Sequence, residues 1–291
     1  MKMIHWKKFA VNVALVAAVG LIAVEQSSAA ENSVYDNVIS SGALRACYVV
    51  APPSIIKDPN TGKLSGVGFD VLEQAAKNLG LKLSWTTEVG WVGAIEALNT
   101  DKCDILGTAV WGNANRAKAS EALQPIYYTA INAYVRAKDT RFDKDLNIAN
   151  DKKYTLAVND GSATYLIAQR QFPNAQLDRL SENTNTSIQL MEVVNKKADM
   201  TFGEPSQVKL YQKNNPDKPV KQVLNAKPVA IFENVFLVKK GEFKLKSSID
   251  GALRELLYVG FVDKVLNDFE KEKDVPGVFY RVASPYVMPS R

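Results

Sequence analysis

The chain has 291 residues, a formal net charge of +5, 46% hydrophobic residues, one histidine and two cysteines. The positive excess is mild and no basic run or stripe accompanies it, which argues against a nucleic-acid partner. The single histidine, His5, falls in the opening segment, so the rest of the chain has no imidazole for Ser-His-Asp or Cys-His nucleophile activation, for zinc ligation, or for a switch near pH 7.

Lys2, Lys7 and Lys8 precede an apolar run over 9–24, and the small residues Ser28 and Ala30 follow it. This pattern predicts a secretory signal peptide over 1–30, cut after Ala30. The run is shorter than the ~20 residues a membrane span needs, so the mature chain is expected to be soluble and periplasmic. In that oxidising compartment Cys47 and Cys103, both in segments that read as buried strands, are expected to form a disulfide. Two buried free thiols are the alternative, because sequence alone does not set the Cα separation.

Beyond the signal, strand-like and helix-like segments alternate, which predicts an α/β fold with mainly parallel strands. "ALRACYVV" reads as a strand and "DPNTGKLSG" as a turn-rich connection. Asp70 is placed as the cap of the helix "VLEQAAKNL", which Gly80 stops. "KLSWTTEV" is a strand, "WVGAIEALNT" a short helix and "DILGTAV" a strand buried on both faces. A run of tyrosines after Arg116 leads into the strand "INAYVRA". A second set follows: the strand "YTLAV", a turn at Gly161–Ser162, the helix "ATYLIAQRQF", the weak strand "AQLDRL", and a helix capped by Asn and Thr in "NTNTSIQL". Then come the strand "DMTFG", the helix "PSQVKLYQKN", an extended return "KPVAIFENVFLVKKG" and an amphipathic helical region over 247–271.

"KCDILGTAV" and "KADMTFGEP" use one element twice: a basic residue, an aspartate opening a strand, and a polar group past its end. Two similar lobes would place a cleft at the carboxyl ends of both sheets, where open α/β sheets bind ligands. The first lobe delivers Trp91, Trp111, Asn113 and Arg116 to it. The second delivers the backbone N–H groups of Gly161, Ser162 and Ala163 at a helix amino terminus, and Glu204. An arginine fork and a helix amino terminus favour an anion, whereas Glu204 favours a cation or a hydroxyl donor. The set suits a small zwitterion. Taken singly, each residue has a plainer reading: Arg116 and Glu204 as solvated or paired charges, and the tryptophans as core.

The stretch from "SGALRACYVV" through "NTGKLSGVGFD" to "NRAKASEALQPIYY", with "VNDGSAT" and "KKADMTFGEP" after it, resembles the family-3 periplasmic solute-binding proteins, receptors of polar amino-acid ABC importers. The resemblance covers nearly the whole mature chain. It implies two Rossmann-like lobes, 31–129 plus 232–291 and 130–231, hinged near Thr129–Ala130 and Ile231–Phe232. It further implies that Arg116 takes a ligand carboxylate, that Gly161–Ser162 supplies backbone donors, and that Glu204 takes an ammonium, with Trp91 as an apolar wall. The implied partners are an amino-acid-like ligand and a membrane ABC permease, for a monomer without metal, cofactor or catalytic residues. Two features depart from the pattern. Trp111 and Asn113 replace a "T-x-T", and "VVAPPS" over 49–54 lacks a stacking aromatic. Two alternatives stand beside the receptor: a cyclohexadienyl-dehydratase-like enzyme, whose further carboxylate is replaced here by Gln207, and a dehydrogenase-associated binding protein, in which paired cysteines like these also occur.

Overall fold

The alternation of apolar runs and amphipathic segments becomes, in the computed structural model, one long mixed sheet with helices on both faces. The structure describes residues 33–181, 184–224 and 226–282. The predicted signal peptide lies outside the described residues. No described helix is long and apolar enough to cross a membrane.

In chain order the first half holds α1 (Val34–Ser41), β1 (Ala43–Tyr48), the small hairpin β2 (Ile56–Lys57) and β3 (Leu64–Ser65), α2 (Val67–Asn78), β4 (Lys82–Glu88), α3 (Gly93–Asn99), β5 (Ile105–Trp111), α4 (Ala114–Ala119) and β6 (Ser120–Ala122). The long strand β7 (Tyr127–Arg136) crosses to β8 (Thr155–Asn159), α5 (Ala163–Gln171), β9 (Gln176–Leu180), α6 (Thr186–Val194), β10 (Met200–Gly203), α7 (Pro205–Asn214) and β11 (Val220–Gln222). A second long strand, β12 (Ala230–Lys239), returns to α8 (Phe243–Tyr258) and α9 (Phe261–Lys273).

The sheet order is β4-β1-β5-β12-β7-β10-β8-β9. As expected, the outer strands run parallel: β1 with β4 and β5, and β8 with β9 and β10. The two long strands at the centre are antiparallel to each other and to β5 and β10. That follows from connectivity, since a chain that crosses once and returns once must run both ways through the middle. In this ladder Thr129 is opposite Phe232 and Ala130 is opposite Ile231.

Core packing divides along the same line. In the first half, α2, α8 and α9 bury Leu72, Leu253 and Leu266 against one sheet face, and α3 packs Leu98 with Leu106 and Leu237 on the other. In the second half Leu156, Met200 and Phe202 meet α5 through Ile167, while α6 and α7 cover Tyr134 on the opposite face. β5 is buried on both faces, which is why it reads as a continuous apolar run. Each fully buried Leu or Ile there contributes about 1.5–3 kcal/mol.

Cys47 and Cys103 are joined in a disulfide with Cα atoms 5.5 Å apart. It links β1 to the segment entering its parallel neighbour β5. The repeated aspartates also take matching roles. Asp104 accepts from the Arg45 backbone N–H at 2.8 Å and pairs with the Arg45 guanidinium at 2.6 Å. Asp199 accepts from the Thr155 N–H at 3.0 Å and pairs with Arg141 at 2.7 Å. Each locks the start of a parallel strand to the strand beside it.

Some local expectations are corrected. Asp70 does not cap α2, which begins at Val67 with Gly66 at its N-cap. The Pro53–Ser54 segment explains the earlier start: its carbonyls accept from the Val67 and Gly68 N–H groups at 3.0 Å each, an approach so close that a Cβ on Gly68 would meet the Ser54 hydroxyl at 2.2 Å. The strand expected over "INAYVRA" begins earlier and takes in the tyrosines, because Tyr127 opens β7 and is fully buried. The carboxyl-terminal helical region is two helices, divided at Gly260, whose φ of +74° a residue with a Cβ rarely adopts.

Candidate functional site

Apolar β5 ends at Trp111, and the chain turns at once into α4. Asn113 makes that turn: its side-chain oxygen accepts from the Arg116 backbone N–H at 2.9 Å, an N-cap. The cap leaves that oxygen occupied. The Arg116 side chain folds back so that Nη1 donates to the Trp111 carbonyl at 2.6 Å, and its guanidinium lies 5.7 Å from the Trp91 ring centre. Among the described residues Arg116 has no carboxylate partner. Burial lowers its pKa from the ordinary arginine value, since desolvation disfavours the charged form.

Across the gap, β10 ends at Gly203, and Glu204 precedes Pro205 at the first position of α7. Glu204 is 5% exposed and, among the described residues, has no cationic partner. Burial pushes its pKa up to about 7, against donors on Trp111, Thr129 and Ser206 that favour the ionised form.

The Thr129 hydroxyl is a junction. It donates to Glu204 Oε1 at 3.4 Å and accepts from Trp111 Nε1 at 3.2 Å and from Asn234 Nδ2 at 3.1 Å. Both central strands thus meet both sides of the gap at one oxygen. The Trp111 ring is further held by stacking on Phe232 at 5.1 Å. Thr129→Val keeps the shape but strands the Asn234 Nδ2 donor and takes one donor from Glu204, while Trp111 keeps its bond to Glu204. A buried donor left unmade costs about 1–3 kcal/mol. An unfolding titration is expected to show a loss of about 2 kcal/mol; an unchanged midpoint would mean that water replaces the hydroxyl.

A cavity of about 430 Å³ brings these groups together. Trp91, Trp111, Asn113 and Arg116 line it from the first half, and Gly161, Ser162, Ala163 and Glu204 from the second. The Gly161 turn has φ +67°, the left-handed region that glycine adopts without strain. The three backbone donors expected there are reduced: the Ser162 N–H is spent on the Asn159 carbonyl at 3.1 Å. Its hydroxyl caps α5 instead, accepting from the Tyr165 N–H at 3.3 Å. Ala163 and Thr164, in the first turn of α5, have N–H groups without an acceptor among the described residues.

Sequence reasoning missed several lining residues, among them Tyr127, Asn159, Gln189 and Asn234. Asn159 carried a signal, as a polar residue ending the apolar strand "YTLAV". Gln189 and Asn234 carried none, because a helical glutamine and a strand asparagine look like ordinary surface positions. Both are nonetheless buried.

A family model described as bacterial extracellular solute-binding proteins, family 3, matches residues 44–271. A probable histidine-binding protein of Campylobacter jejuni is 27% identical over 155 residues, covering 53% of this chain and 57% of that protein. A membrane-bound lytic murein transglycosylase F of an Enterobacter species is 24% identical over 239 residues, covering 78% of this chain and 45% of that protein. The chain spans about half the length of these curated relatives. Among solved structures, the ancestral amino acid-binding protein AncCDT-1, a precursor of cyclohexadienyl dehydratase, superposes with a TM-score of 0.67 at 24% identity, over 81% of this chain and 98% of that one.

Proposed function

The chain belongs to the bacterial extracellular solute-binding proteins, family 3, and from that premise we propose that it is the periplasmic receptor of an ABC importer for a small, zwitterionic, amino-acid-like solute. The lobes are 31–129 with 232–291, and 130–231, and they close by bending where the two central strands pair. One observation carries the reading. A guanidinium and a carboxylate, each without an ion-pair partner among the described residues, line one cavity from opposite sides. A bound zwitterion supplies both missing charges: its carboxylate to Arg116 and the first-turn N–H groups of α5, its ammonium to Glu204. Closure is then a population shift, because only the closed arrangement offers both contacts to one ligand.

Isothermal titration of the purified protein with the common amino acids tests this. Binding of at least one is expected. If no amino acid binds and none co-purifies, the reading is wrong. The histidine-binding relative supports an amino acid as ligand. Glycosidic chemistry is not carried over from the transglycosylase, of which the match covers 45%.

The buried Glu204 favours a second reading. A carboxyl group with its pKa near 7 in a cleft has the properties of a general acid, and an enzyme that expels hydroxide from a cyclohexadienyl acid needs one. Against this, Gln207 stands where the enzyme-like pattern has a further carboxylate. Prephenate and arogenate are expected to be left unconverted in an ultraviolet absorbance assay; turnover would replace the receptor with the enzyme.

A further inference from the structure

The cavity's charge inventory is short. Among the described lining residues only Arg116, Glu204 and Asp160 are acidic or basic. Asp160 sits at the rim and is already neutralised by Arg179, whose Nε donates to it at 2.6 Å. The two groups that would hold a zwitterion's own charges therefore leave no third charge facing the rest of the ligand.

What remains is of two kinds. The first half presents an apolar wall that includes Pro53, Val92, Ile95 and Val110. The second half presents neutral hydrogen-bonding groups whose orientations are set by one another. Gln189 Nε2 donates to Asn159 Oδ1 at 2.8 Å, Asn159 Nδ2 to the Thr184 carbonyl, and the Thr186 hydroxyl to Gln207 Oε1. The Tyr127 hydroxyl belongs with them: the residue is 1% exposed and lines the cavity, and among the described residues its phenol has no hydrogen-bond partner. A neutral polar side chain finds donors, acceptors and apolar contact here. A charged one loses its hydration with no counter-charge to replace it.

We propose that the site selects zwitterions whose side chain is uncharged and carries hydrogen-bonding atoms, and that it refuses cationic and anionic side chains alike. The inference rests on the receptor reading above, and it assigns Gln207 as a residue that keeps cations out. Gln207 Oε1 accepts from Thr186, and its Nε2 reaches the Pro52 carbonyl across the gap at 3.4 Å. Gln207→Glu keeps the acceptor for Thr186 while adding the absent negative charge.

The test is titration calorimetry on the full mature chain at pH 8, with glutamine, asparagine and tyrosine against lysine, arginine, glutamate and aspartate. A neutral ligand is expected to bind at least about 100-fold more tightly than any charged one, a ratio typical of buried groups left unpaired. In Gln207→Glu, lysine or arginine is expected to gain at least about 10-fold, as a new ion pair in a desolvated cleft provides. Equal affinity of the wild type for lysine, arginine or the acidic amino acids overturns the charge inference while leaving the receptor standing. Absence of binding by every amino acid, in both proteins, overturns the receptor reading and this inference with it.

Discussion

Arg116→Met is expected to weaken ligand binding by at least about 30-fold without lowering the stability of the unliganded protein. The two halves of that expectation have separate causes. Removing one partner of a desolvated, hydrogen-bonded charge pair costs about 2–5 kcal/mol, which is a factor of about 30 to several thousand. In the unliganded protein, however, the guanidinium is already a partly desolvated cation with, among the described residues, a single hydrogen bond, to the Trp111 carbonyl. Replacing it with an apolar side chain of similar length removes a desolvation cost rather than a favourable pair. Titration with the ligand found for the wild type, beside an unfolding curve of each protein alone, reads the two effects apart. Arg116→Lys is expected to fall between, since an ammonium keeps the charge but lacks the planar fork that meets a carboxylate with two bonds. A Met variant that binds as the wild type does, or that loses stability in proportion to affinity, would make Arg116 a structural residue.

The residues that allowed this expectation were readable because β5 is apolar throughout and Arg116 follows it after a turn, so topology alone placed the cation near a strand's carboxyl end. The same holds for Glu204 behind "DMTFG". The Thr129 junction was beyond reach. Its three partners come from β5, from the return strand more than a hundred residues later, and from the start of α7, and no local pattern marks a threonine on an apolar strand as a meeting point. Asp70 misled for a related reason. An aspartate before an apolar run is a good cap by propensity, but the contact between Gly68 and the Ser54 loop starts the helix earlier, so tertiary packing overrides local preference. The antiparallel centre of the sheet was likewise a property of two strands some hundred residues apart. Long-range pairing of that kind leaves no trace in the local alternation that identified each strand.

Glu204→Gln is expected to remove a pH dependence of stability that the wild type carries. A carboxyl group whose folded pKa is near 7, against an ordinary value of 4.5, holds its proton longer in the folded protein than in the unfolded chain. Between those values the folded state binds more protons, so stability falls as pH rises through the window and levels off above it. The full span is about 3 kcal/mol, at 1.36 kcal/mol per pKa unit. Below pH 4 both states are protonated and the term vanishes. The difference between Glu204→Gln and wild type is therefore expected to grow by about 3 kcal/mol from pH 4 to pH 8, whatever constant offset the lost Thr129 and Ser206 contacts add. A ligand ammonium reverses the balance, because a cation beside Glu204 favours its ionised form. Affinity for an amine-bearing ligand is then expected to fall about tenfold per pH unit below 7 in the wild type, and to be weak and flat with pH in Glu204→Gln. A ligand with a carboxylate but no amine has no such requirement, and for it the slope should be absent. Calorimetry at pH 5.5, 6.5 and 7.5 with one amino acid and its des-amino analogue separates the cases: parallel profiles for the two would remove Glu204 as the ammonium's partner and leave a cleft that binds acids through Arg116 alone.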